Sequence, residues 1–173
     1  MREIETARLY LRQFTPTNLD KLYRIYSDSE VMKYLSEGVR SREETAADLF
    51  GMIADWEKHG FGLWAVFNKQ NNQLIGDGGL RFLGKTPEVE VGYVLAKAYW
   101  GKGLATEVAA ASLKYGFEVL KLDKIVAVAD AENIASRRVI EKMGMKYQHN
   151  FDFSGRDRVY YSMSRKIYQS KVV

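Results

Sequence analysis

Glu90-Val91-Gly92-Tyr93-Val94-Leu95-Ala96-Lys97-Ala98-Tyr99-Trp100-Gly101-Lys102-Gly103-Leu104-Ala105-Thr106 is the stretch from which the fold can be read. Residues 88–95 are rich in β-branched and aromatic side chains and read as a strand. A five-residue spacer follows, and a Gly-x-Gly turn then opens a helix over residues 103–120. That helix is apolar around much of its circumference, so it is expected to be buried. Glycines let the chain come close to a ligand, and the first-turn N–H groups of a helix are unpaired at its positive end. Together they make an anion site suited to a pyrophosphate. A phosphate loop of the Walker type is excluded, because Lys102 is followed by Gly103 rather than Ser or Thr. A dinucleotide fingerprint fits poorly, since Thr106 stands where a third glycine is required and the spacer separates the strand from the turn. Taken alone, the turn is equally compatible with a buried helix that binds nothing.

Outward from this stretch, residues 6–14 alternate, with Ala7, Leu9 and Leu11 on one face, and read as a strand. Residues 17–27 carry Leu19, Leu22, Tyr23 and Tyr26 at helical spacing. Ser41-Arg42-Glu43-Glu44 is a capping box that opens a second helix, which ends near His59-Gly60. Strands follow at 63–68 and 73–82, where Gly76, Gly78 and Gly79 predict a bulge or a close backbone approach. After the buried helix come a strand at 124–129, a helix over 133–143 closed by Gly144, and strands near 145–153 and 159–166. The order predicts a mixed sheet of about seven strands with helices on both faces, an α/β (α+β) fold.

The chain has 173 residues, 46% of them hydrophobic and 28% charged, which suits one globular domain over 1–173. There is no apolar run long enough for a membrane span and no secretory leader pattern, so a cytoplasmic location is expected, with no membrane partner. Cysteine is absent, which excludes disulfides, thiolate metal sites and a cysteine acyl-enzyme. The two histidines, His59 and His149, have no metal-ligand spacing, and no metal is expected. A net charge of +4 suits a small anionic ligand, and its dispersion argues against nucleic acid.

The central stretch resembles motif A of the GNAT superfamily of acyl-CoA-dependent N-acetyltransferases, Gln/Arg-x-x-Gly-x-Gly/Ala. Gly103 and Ala105 match it, and Trp100 replaces the first residue. The Tyr-Trp-Gly-Lys-Gly wording, Asn133-Ile134-Ala135-Ser136 and Glu141-Lys142-Met143-Gly144-Met145 are similar to the branch containing ribosomal-protein N-terminal and spermidine acetyltransferases, with Met145 in place of Phe. The resemblance implies a mostly antiparallel sheet splayed at its centre, with acetyl-CoA as cosubstrate. Its pantetheine arm would pair with the backbone of Tyr93, Val94 and Leu95. The pyrophosphate would lie on Gly101, Lys102, Gly103, Leu104, Ala105 and Thr106, and Asn133 would hold the pantetheine arm or cap the last helix. Without a cysteine, direct attack by an amine in a ternary complex is the economical chemistry.

Glu90 and Glu88 share a strand face, and both are candidate bases, Glu90 lying nearer the thioester. Asp157, reached through water, is the fallback. Ile140 stands where many members of the family carry a tyrosine acid; the resemblance to the ribosomal-protein branch implies that Ser136, the serine of Asn-x-x-Ser, faces the sulfur instead and assists thiolate departure, the alternative being a first-turn helix residue bonded only to backbone. The resemblance implies an acceptor rim formed by the first helices and the loop between the final strands, here residues 31–40, Trp56 and residues 154–158, which hold too few carboxylates for a polyamine. A protein or peptide α-amine is therefore the expected acceptor, with small-molecule amines as the alternative. A non-enzymatic acyl-CoA sensor remains as a rival function, and a homodimer is left open.

Overall fold

The computed structural model describes residues 3–172. Strands β1 (Ile4–Glu5), β2 (Leu9–Arg12), β3 (Leu63–Asn68), β4 (Gln73–Phe82), β5 (Val89–Leu95), β6 (Lys124–Asp130), β7 (Lys146–Phe153) and β8 (Arg156–Ser164) form one sheet. Their order is β1-β2-β3-β4-β5-β6-β8-β7, antiparallel at every junction except β5 with β6. The strand beyond the expected seven is β1, a two-residue piece too short for alternation to register. The helices are α1 (Leu19–Tyr26), α2 (Ser29–Met32), α3 (Arg42–His59), α4 (Leu104–Lys114), α5 (Ile134–Lys142) and α6 (Arg165–Val172). Neither α2 nor α6 is legible in the periodicity, since one is a single turn and the other is polar with no fully buried residue.

The capping box predicted at α3 is present in both directions. Glu44 N donates to Ser41 Oγ at 3.1 Å, and Ser41 N donates to Glu44 Oε2 at 2.8 Å. Two apolar layers sandwich the sheet. Leu22 of α1 and Leu49 of α3 are fully buried on one face, and Val108 and Leu113 of α4 are buried on the other. Gly78 of β4 serves that second layer. A Cβ on Gly78 would stand 2.3 Å from Val108 Cγ1, so α4 rests directly on the strand. The register of β3 against β4 also shifts between Val66 and Phe67, beside the glycine run.

The junction of β5 with β6 positions the site. Among the described residues their only ladder pair is Glu90 with Val126, and beyond it the two strands diverge toward Leu95 and Asp130. The divergence is the splay that the resemblance implies. The chain leaves β5 through a 3₁₀ turn (Lys97–Tyr99) and enters α4 at the mouth of the gap. At its far end α4 runs on into a π-helical turn, Tyr115–Val119. No helix of the described residues is long and apolar enough to cross a membrane.

Candidate active site

Gly101 and Gly103 lie in the left-handed region, at φ of +70° and +75°. Gly103 is the N-cap of α4, and no side chain caps the helix. The N-terminal end of α4 therefore keeps its positive partial charge for an incoming anion. A Cβ on Gly101 would meet no atom within 4 Å, and one on Gly103 would meet only Arg8 Nη2, at 3.5 Å. Within the protein it is the positive φ, rather than a neighbouring atom, that demands glycine.

The same turn is strapped from β2's side of the molecule. Arg8 Nη1 donates to the Lys102 carbonyl at 2.7 Å, and Arg8 Nε pairs with Glu107 Oε2 at 2.8 Å. Arg8 is a residue that sequence reasoning missed. Trp100 Nε1 donates to the Leu95 carbonyl at 2.8 Å, so the residue that departs from the family pattern ties the spacer back to the end of β5. Lys102 Nζ lies 5.4 Å over the Tyr99 ring. Leu104 is buried, while Ala105 and Thr106 are half-buried along the first turn.

Across the gap, Asn133 is the N-cap of α5, its Oδ1 accepting from Ser136 N at 3.1 Å. The Tyr93 hydroxyl lies 3.1 Å from Ser136 Oγ and donates to the Ser136 carbonyl at 3.1 Å. Burial pushes the Tyr93 hydroxyl up to about 12, so it remains protonated at neutral pH. Tyr93, expected only as a backbone contact, thus brings its side chain to Ser136 on the α4 side of the sheet.

The opposite face of β4 and β5 floors a cavity of about 390 Å³ whose lining includes Asp77, Arg81, Glu90, Tyr93, Asn133, Ser136 and Arg158. Asp77 is 2% exposed and accepts from the Tyr26 hydroxyl at 2.8 Å. Burial lifts its carboxyl to about 6, partly offset by that hydrogen bond and by the positive charge of Arg81. Glu90 is also buried, and its Oε1 accepts from Arg81 Nε at 2.7 Å. Glu88 stands outside the lining. It pairs with Lys124 at 2.7 Å and accepts from the Tyr160 hydroxyl, and these two contacts hold its carboxyl below the usual range. Asp157 sits on the outer hairpin, accepting from Asn150 Nδ2.

Of the segments named for the acceptor rim, Tyr34, Glu37, Arg40 and Arg158 line the cavity. Trp56 does not. It is buried in the core, with its ring 5.1 Å from that of Trp64 and its Nε1 donating to the Leu63 carbonyl. The carboxylates Asp48, Asp55 and Asp77, which α3 and β4 contribute, lay outside the segments from which the rim was expected.

The chain matches the Acetyltransferase (GNAT) domain family over residues 8–146. It is 34% identical over 146 residues to a Bacillus subtilis protein named uncharacterized N-acetyltransferase YoaA, covering 83% of this chain and 82% of that one. A crystal structure of a GNAT-family acetyltransferase from Bacillus anthracis superposes with a TM-score of 0.85 at 31% identity, over 95% of this chain and 99% of the other. The ribosomal-protein-S5-alanine acetyltransferase from Vibrio fischeri shares the fold, with a TM-score of 0.80 at 17% identity over 97% and 99% of the two chains. The chain belongs to the GNAT acetyltransferase family. Its reaction class is N-acetyl transfer, with acetyl-CoA as the family's cosubstrate.

Proposed function

We propose that this protein acetylates the α-amine of a peptide or a small molecule by direct attack on acetyl-CoA, with Asp77 receiving the amine's proton. The observation that carries the reading is Asp77 itself. It is a buried carboxylate held near pH 6 that lines the same cavity as the Tyr93–Ser136 hydroxyl pair. Glu90 has the same access but is committed to Arg81, so its role is to hold that arginine and to add negative potential. An α-ammonium of pKa near 8 hands its proton to a group near 6 over about two units, whereas a lysine-like or polyamine ammonium near 10.4 must cross more than four. This difference favours an α-amine over a polyamine, even though carboxylates are more numerous around the cavity than the sequence indicates.

Acetyl-CoA fits the open end of α4. The backbone N–H groups of residues 101–106 would receive its pyrophosphate, and the diverging backbone of Tyr93, Val94 and Leu95 would pair with its pantetheine arm. Asn133 borders that arm from the cap of α5. Backbone N–H groups near Val94 and Leu95 would stabilise the oxygen of the carbonyl under attack. After Asp77 has taken one proton from the ammonium, the neutral amine nitrogen bonds to the carbonyl carbon and the carbon–sulfur bond breaks. The nitrogen's second proton passes through the Tyr93–Ser136 hydroxyl pair to the departing sulfur, giving a neutral amide and the thiol of CoA, and Asp77 returns its own proton to solvent. The test is CoA release from acetyl-CoA across a panel of α-amines, ε-amines and spermidine. Release with spermidine alone would overturn the α-amine reading.

A further inference from the structure

Two arginines of β8 fasten the segment between α2 and α3 to the sheet. Arg156 Nη2 donates to the Lys33 carbonyl at 3.1 Å, and Arg158 Nη1 to the Tyr34 carbonyl at 2.9 Å. The two differ in everything else. Arg156 is exposed enough to reach solvent and pairs with Asp130 at 3.1 Å. Arg158 is 7% exposed and lines the cavity, and among the described residues neither its Nε nor its Nη2 has a hydrogen-bond partner. Asp130, its ladder partner on β6, gives its carboxylate to Arg156 and to Glu132 N instead. Nε and Nη2 form one edge of the guanidinium, with two parallel N–H groups that match the two oxygens of a carboxylate. A buried guanidinium edge left unpaired is costly, and an anion in the cavity would relieve it.

The register places this edge relative to Asp77. Asp77 lies opposite Val94, and Arg158 lies opposite Asp130. Val94 and Asp130 each stand four residues beyond the Glu90–Val126 pair, so the four residues fall in one row across the sheet. Asp77 and Arg158 are the ends of that row, three strand spacings of ~4.8 Å apart plus the splay. Among the described residues, Asp77 is a buried carboxylate of the cavity without an ion pair and Arg158 a buried cation of the same cavity without one. Their complement is a molecule with an ammonium at one end and a carboxylate at the other.

We propose that the acceptor carries a carboxylate in addition to its amine, gripped by the Nε and Nη2 edge of Arg158 while the amine faces Asp77. The inference rests on the α-amine reading and narrows its substrate class. The carboxylate has two possible sources, the α-carboxylate of a free amino acid or the acidic side chain of a peptide's first residue.

The test compares acids with isosteric amides. One arm sets free amino acids against their carboxamides, and the other sets C-terminally amidated peptides beginning with Asp or Glu against those beginning with Asn or Gln. CoA release is read with a thiol reagent, which meets no cysteine in this chain. The acid is expected to exceed its amide roughly 30- to 1,000-fold in kcat/KM, mostly through KM, in the arm that holds the true source. Arg158→Lys, which keeps the charge but offers a single donor point, should cut that ratio about tenfold. The ratio is internal to each protein, so a variant that folds in lower yield still reports it. Equal rates for acid and amide in both arms, or a ratio unchanged in Arg158→Lys, would overturn the proposal while leaving amine acetylation intact. No CoA release with any amine would overturn both.

Discussion

Replacing Asp77 by Asn separates the two consequences of burying a carboxyl beside the reacting amine. An unfolded aspartate titrates near 3.9, whereas Asp77 is lifted to about 6 by burial. Between those values the folded chain keeps a proton that the unfolded chain has released, so stability falls as pH rises through the window. Two units correspond to about 3 kcal/mol, nearly absent at about pH 3 and nearly fully expressed at about pH 7.5. Asn cannot ionise and still accepts from the Tyr26 hydroxyl, although its amide NH₂ adds a pH-independent cost of about 1–3 kcal/mol if it finds no acceptor. The difference in unfolding free energy, Asp77→Asn minus wild type, should therefore rise by about 3 kcal/mol from acid to neutral pH, whatever its starting value. Urea unfolding at the two pH values measures it. In parallel, kcat/KM of the wild type should climb through pH ~6, and the variant should lose that limb together with about 100-fold or more of the rate. A stability difference that does not change with pH, or turnover within about threefold of wild type, would refute the reasoning.

Three further outcomes are expected. Tyr26→Phe removes the hydrogen bond that holds the Asp77 carboxyl down, so the acidic limb of the pH–rate profile should move above about 6; an unmoved limb would detach the limb from Asp77. Gly103→Val forces a β-branched residue to φ +75°, costing roughly 1–3 kcal/mol locally, and acetyl-CoA affinity by calorimetry should fall at least about tenfold. Unchanged affinity would remove the turn from the cosubstrate site. Ser136→Ala and Tyr93→Phe should each lower kcat more than they change acetyl-CoA affinity, and if neither does so in steady-state assays, the thiol leaves without their help.

What the sequence discloses about this molecule is whatever depends on near neighbours. The Ser41–Glu44 box, the glycine turn before α4 and the Asn133 cap are each complete within a few residues, and each is found where the pattern puts it. Asp77 is different. Set between Gly76 and Gly78, it reads as one polar residue in a glycine-rich strand, and only the β4–β5 register turns it toward the same cavity as Glu90. A lone carboxylate within a predicted strand was the available signal. Arg158 depends on β8 folding back beside β6 from about thirty residues downstream, and Tyr26 on α1 packing over the sheet, so neither has a local signature. The resemblance put Trp56 at the acceptor rim, and helical spacing put it on an apolar face without showing what that face meets, which here is Trp64.

The single Glu90–Val126 link between β5 and β6 gives the sheet an edge in its own interior. Unpaired strand edges usually lie at the periphery, where any extended polypeptide can add to them and begin aggregation. Here α4 and α5 pack beside the two strands and keep that edge inside the fold. In the reading proposed above, a pantetheine arm, a thin chain with amide groups at intervals, would fill the opening and occupy the groups that an added strand would otherwise use.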